Sequence, residues 1–144
     1  MVLFTDTMTV YNYRYDEEQG RDCWQRTIVK GVQWSHNRNE INTSGNVQTV
    51  NKVESITIDF KKDYGNKPYL LPHEYRKLSS EELESYWTLE KGKDILVLGI
   101  SEKEVTCSAD IEELKQDFQY VATVTAVSDN RSRPRLKHIK VVAK

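Results

Sequence analysis

At 144 residues the chain has the length of one domain, and a domain of that size buries roughly 70% of the surface its unfolded chain exposes. With 38% hydrophobic and 30% charged residues it is too rich in Val, Ile, Leu and Tyr to be disordered, and 6 Gly with 3 Pro exclude a collagen-like or low-complexity segment. A net charge of −1 excludes a chain built throughout to neutralise phosphates, though it leaves room for a local basic patch.

The opening Met1-Val-Leu-Phe-Thr-Asp-Thr7 lacks a basic and then apolar stretch, so no signal peptide is expected. The longest apolar run, Ile95-Leu-Val-Leu-Gly-Ile100, is strand-length and too short to span a bilayer. Cys23 and Cys107 cannot form a CxxC metal site by themselves; the sequence leaves open their pairing in space, and the reading preferred is two free thiols of a cytoplasmic protein.

In chain order, Thr9 to Tyr15 alternates, with Thr9, Tyr11, Tyr13 and Tyr15 on one face and Val10, Asn12 and Arg14 on the other. That period predicts a half-buried strand. After a polar turn at Asp16 to Gly20, the residues Trp24, Arg26, Ile28, Lys30, Val32 and Trp34 share one face of a second long strand, a rim or contact surface. Ser35 to Asn51 is different. It is rich in Asn, Ser and Thr with little apolar periodicity, and reads as a long loop or arm, or a ribbon turning at Ser44-Gly45-Asn46.

Strand character returns at Val53 to Phe60, with Ile56, Ile58 and Phe60 facing inward. A short helix is expected over His73 to Leu78 after Pro72, followed by capping-box spacing from Ser79 to Glu82. Lys91 to Asp94 turns into the strongest strand, Ile95 to Gly99. Ser108 reads as the N-cap of a helix from Ala109 to Phe118, whose Ile111, Leu114 and Phe118 fall on one face. Tyr120 to Val127 and Leu136 to Ala143 complete the strands. The fold expected is mainly β (α+β): a small antiparallel β-barrel or sandwich of about six strands with one or two short helices. It forms a single domain over residues 1–144 with an extended loop or arm at 35–51.

No catalytic constellation emerges. His36, His73 and His138 have no partner at metal-ligand spacing, the carboxylates cluster in turns and on exposed helix faces, and no nucleophile elbow, phosphate-binding loop or dinucleotide fingerprint is present. No cofactor, metal or enzymatic activity is expected. Two surface features remain. Arg131, Arg133 and Arg135, with Lys137 and Lys140, form a local basic patch suited to a phosphate or an acidic neighbour. The chain also carries 8 Tyr and 3 Trp, types enriched at interfaces and equally at home in a small β core.

Thr9-Val-Tyr-Asn-Tyr13, Trp24 to Trp34, Tyr86 to Gly99, Val127 to Arg131 and the ending His138 to Lys144 resemble a family of small uncharacterised proteins from tailed phages and prophages of Gram-positive bacteria. That family typically closes on Gly-Lys, where this chain has Ala143-Lys144. The resemblance implies a virion structural protein of the neck, a head-closure or head–tail connector subunit forming a ring beneath the portal. Its implied partners are copies of itself, the portal and tail proteins, and DNA passing through the lumen without sequence-specific binding. The implied location is the head–tail junction, reached from the host cytoplasm. A tail-terminator ring protein is the nearest alternative, and a nucleic-acid-binding β-barrel the alternative of another class. The interface residues expected are Arg38, Asn39, Ile41 and Val47 in the arm, with Arg131, Arg133 and Arg135 as a charged contact.

Overall fold

The computed structural model describes residues 5–17, 19–44, 47–60, 64–79, 81–131 and 138–144, with the backbone alone described over 36–52. Among the described residues six strands form: β1 (Asp6–Asp16), β2 (Arg21–Ser44), β3 (Val47–Asp59), β4 (Ile95–Leu98), β5 (Val121–Asp129) and β6 (His138–Ala143). They close into a barrel in the order β1-β2-β3-β6-β5-β4, every neighbouring pair antiparallel. Two helices, α1 (Pro72–Tyr75) and α2 (Ser108–Asp117), lie in the connections before and after β4. The fold is a mainly-β barrel.

Alternation supplies the interior. Met8 and Val10 from β1, Ile56 and Ile58 from β3, Leu96 from β4, Val124 from β5, and Ile139 and Val141 from β6 meet in one buried cluster. β1 departs from the half-buried pattern, because Met8 to Asn12 are buried without a break. The outer face is covered too. Tyr11 packs with Val97, Val105 and Leu114, placing α2 against the barrel wall. The 99–103 segment is stitched on by Thr9 Oγ1 donating to the Gly99 carbonyl (2.9 Å) and Tyr11 Oη donating to the Lys103 carbonyl (2.7 Å).

β2 does not keep one face from Trp24 to Trp34. Thr7 pairs with Lys30 but Asp6 with Val32, so Gly31 is an extra residue that shifts the phase. Val29, Val32 and Trp34 therefore all enter the core, while Trp24 packs on the outer cluster. Gly31 has φ 80° and lies under the Tyr64 ring, where a Cβ would sit 2.4 Å from ring carbons. Only glycine meets both demands.

α1 is one turn long, shorter than expected, and the Ser79–Glu82 spacing does not complete a capping box: the 3-10 turn at Leu83–Ser85 starts from Glu82 without a side-chain cap, and Glu82 Oε1 accepts from Ser79 Oγ (2.9 Å) and the Ser79 amide (3.4 Å). At α2 the N-cap is Cys107, not Ser108. Asp110 reaches back to accept from the Thr106 amide (2.9 Å) and hydroxyl (3.0 Å), a carboxylate in the first turn answering free amides.

Because neighbouring strands alternate in direction, the C-terminal ends of β1, β3 and β5 share one end of the barrel. The connection from β3 to β4 crosses that end. Its Trp87 and Leu89 plug the core, and Trp87 Nε1 donates to the Lys67 carbonyl (2.8 Å). The opposite end carries the β2–β3 connection.

Candidate functional site

The segment expected as an arm is strand on both sides. β2 and β3 pair from Val32↔Ile58 to Ser44↔Val47, which leaves two residues between them. The loop alternative gives way to the ribbon. β1 leaves β2 at Val32 and β6 leaves β3 at Glu54, so among the described residues the 37–53 ribbon pairs with no third strand. Arg38 pairs with Lys52 and Ile41 with Val50, Val47 faces Ser44, and Asn39 sits at the register shift between Arg38 and Glu40. At the root, where β1 has ended, the Trp34 amide donates to Asp6 Oδ2 (3.0 Å).

Arg131 lies at the other end of the barrel, beyond β5, so it does not join the ribbon in one surface. Its guanidinium is engaged within the fold. Nε and Nη2 grip Asp129 at 2.9 to 3.1 and 2.8 Å, and the group stacks 4.8 Å from the Tyr69 ring and 5.5 Å from Phe60. The Arg131 contact holds the Asp129 carboxyl below its ordinary range, and burial pushes the Tyr69 phenol up to about 12. Arg133 and Arg135 lie outside the described residues.

A cleft of about 710 Å³ opens between the β1–β2 hairpin and the α1 region, lined by Tyr13, Arg14, Cys23, Tyr75, Leu83 and Lys93 among others. Beneath it lies a polar knot. Asp94, fully buried, accepts from the Tyr13 amide (2.9 Å), the Glu90 amide (2.7 Å) and Asn12 Nδ2 (2.9 Å). Asn12 also accepts from the Thr88 amide (3.2 Å) and donates to the Thr88 carbonyl (2.5 Å). Burial pushes the Asp94 carboxyl up to about 6, and the three N–H donors restrain the rise. Tyr75 is also in the core, where burial pushes its phenol well up and its Oη has no hydrogen-bond partner among the described residues. Nη1 of Arg14 is buried in the same condition.

Sequence reasoning did not find this cleft, since its walls come from residues 13–25 and 75–93. One signal was readable: Asn12 and Arg14 continue the inward phase of Val10, placing polar groups where a core strand would carry apolar ones.

Among the described residues no group of three His, Cys, Asp or Glu is placed to hold a metal ion, and both cysteines are free. No described helix is long and apolar enough to cross a membrane. No curated protein and no solved structure matches the chain. Residues 3–144 match a family of unknown function (DUF6751), and the chain belongs to that family.

Proposed function

We propose that this chain is an assembly subunit whose β2–β3 ribbon engages a neighbouring subunit. The observation that carries the reading is the ribbon's isolation: residues 37–53 pair with each other and with no third strand among those described. A two-stranded ribbon is marginal by itself in water, and its outer edges present backbone groups that another sheet can satisfy. Strand addition by a partner supplies both the hydrogen bonds and the missing burial. A polar ribbon of Asn, Ser and Thr suits this role, because backbone pairing does not require apolar side chains.

The resemblance to small phage proteins supplies a setting. There the subunit belongs to a head-closure or connector ring beneath the portal, with copies of itself, the portal and tail proteins as partners. Near-neutral charge accords with a lumen that lets DNA slide, since dense basic residues would hold the phosphate backbone. Two measurements test the proposal. Deleting residues 38–48 should leave a folded barrel that no longer forms oligomers by light scattering or negative-stain imaging, and oligomers that persist would defeat the arm. In purified particles the chain should occur at a copy number comparable to the portal. Absence from particles would remove the neck setting.

A further inference from the structure

Past Tyr11, β1 has a strand on one side only among the described residues. β4 pairs with Met8 to Tyr11, whereas β2 pairs as far as Asp16. The Tyr13 amide donates to Asp94 on the side β4 has vacated, and the two-residue alternation turns the N–H and C=O of Tyr15 the same way. This open edge is one wall of the 710 Å³ cleft, and Tyr75, Arg76 and Leu83 form the other. An open strand edge beside a groove is the geometry that accepts an extended peptide as an added strand.

The chemistry of the occupant follows from the floor. Tyr75 is 3% exposed, and among the described residues neither its Oη nor the buried Nη1 of Arg14 has a hydrogen-bond partner. An incoming oxygen that accepts from these groups, after a small side-chain adjustment, relieves a standing desolvation cost. Of the cleft's other charges, Arg76 is paired with Glu90 at 3.5 Å, and Asp16 accepts from the Gln19 amide of its own turn at 3.3 Å. Lys93 sits 5.5 Å from the Tyr13 ring centre. Arg14 and Lys93 then balance Asp16 and Glu17, so the described lining carries no net charge, and it is the buried Nη1 of Arg14, without an acceptor among the described residues, that favours an acid.

We propose that this cleft docks an extended segment of a protein partner, paired along Tyr13 to Asp16, with an aspartate or glutamate reaching Arg14 and Tyr75. The site lies at the end of β2 opposite the ribbon and does not rest on the arm reading. The test uses the full chain, isotope-labelled for NMR, with a capped Thr-Val-Glu-Val-Thr peptide, its Gln counterpart and inorganic phosphate as probes. The Glu peptide should shift the amides of Tyr13 to Asp16 and of Tyr75, and bind ~10-fold tighter than the Gln peptide, the ratio expected of one charge-assisted contact. Arg14→Gln and Tyr75→Phe should each weaken it by ~5-fold or more, whereas Tyr75→Phe should not lower the melting temperature. Equal affinity for the two peptides, or no binding at millimolar concentration, would overturn the proposal. Phosphate binding as tightly as the Glu peptide would also overturn it, by marking a small-anion pocket. Should Arg14→Gln not fold, Tyr75→Phe carries the test, because it removes one oxygen and keeps the ring.

Discussion

Asp94 is a buried acid whose surroundings pull in opposite directions: loss of water favours the neutral form, and three N–H donors favour the charged one. Burial prevails, with the carboxyl raised from 3.8 to about 6. A raised carboxyl contributes stability that is complete below about pH 4 and is lost as pH rises through about 6. The amount is at most about 3 kcal/mol, since each tenfold gain in proton affinity on folding corresponds to about 1.4 kcal/mol. Asp94→Asn should therefore flatten the fall in stability between pH 4 and 7.5 while lowering it at every pH, because an amide cannot accept all three bonds. Urea midpoints across that range check this, and an unchanged slope would show that Asp94 does not titrate there. Tyr75→Phe deletes a buried hydroxyl that bonds to nothing among the described residues, so stability should hold or rise by about 1–2 kcal/mol. Neither residue was singled out by spacing. Asp94 stands one residue before the strongest strand, where an acid reads as an ordinary turn, and Tyr75 lies in a helix too short for periodicity to place.

Among the elements, β3, β5 and β6 were legible because period-two alternation reports which face is buried, whereas in β1 alternation marked the strand but not its burial, since both faces are covered from Met8 to Asn12. β2 misled because its phase changes at Gly31, and no count of alternating residues reveals a bulge unless glycine is read as its marker. Gly31→Ala should cost about 2–4 kcal/mol, combining left-handed backbone strain with a methyl driven into the Tyr64 ring. Chemical denaturation measures it, and a loss below about 1 kcal/mol would mean that Tyr64 moves aside. The β2–β3 ribbon was only partly legible for a related reason. Alternation is visible when one face is buried against a core, and over 37–53 the pairing involves no other strand among the described residues. Backbone hydrogen bonds leave no trace in side-chain pattern. The same independence predicts that deleting 38–48 changes the melting temperature of the barrel by less than about 3 °C, because the core residues that are described, Val32, Trp34, Ile56 and Ile58 among them, lie outside that segment.

For the whole molecule, closure joins β1 to β4 across the chain, bringing Thr9 within a hydrogen bond of Gly99, 90 residues on. Such contacts form only after long loops are drawn in, so refolding should take milliseconds to seconds. Stopped-flow fluorescence of the buried Trp87 reports it, and relaxation in microseconds would mean that closure is not limiting. That the sheet is an antiparallel barrel or sandwich was within reach of the sequence, since about six strands with few crossovers point to those two, but the choice of barrel and its β1–β4 seam were not, because strand order leaves no mark on local pattern. The ribbon and the cleft, at opposite ends of β2, give the subunit two unlike poles. Contacts made by unlike poles are directional and relate each copy to the next by one repeated rotation and translation. Where that operation closes it yields a ring of fixed number, and where it does not it yields a filament, so in the proposed assembly the angle at which the ribbon leaves the barrel would set the symmetry.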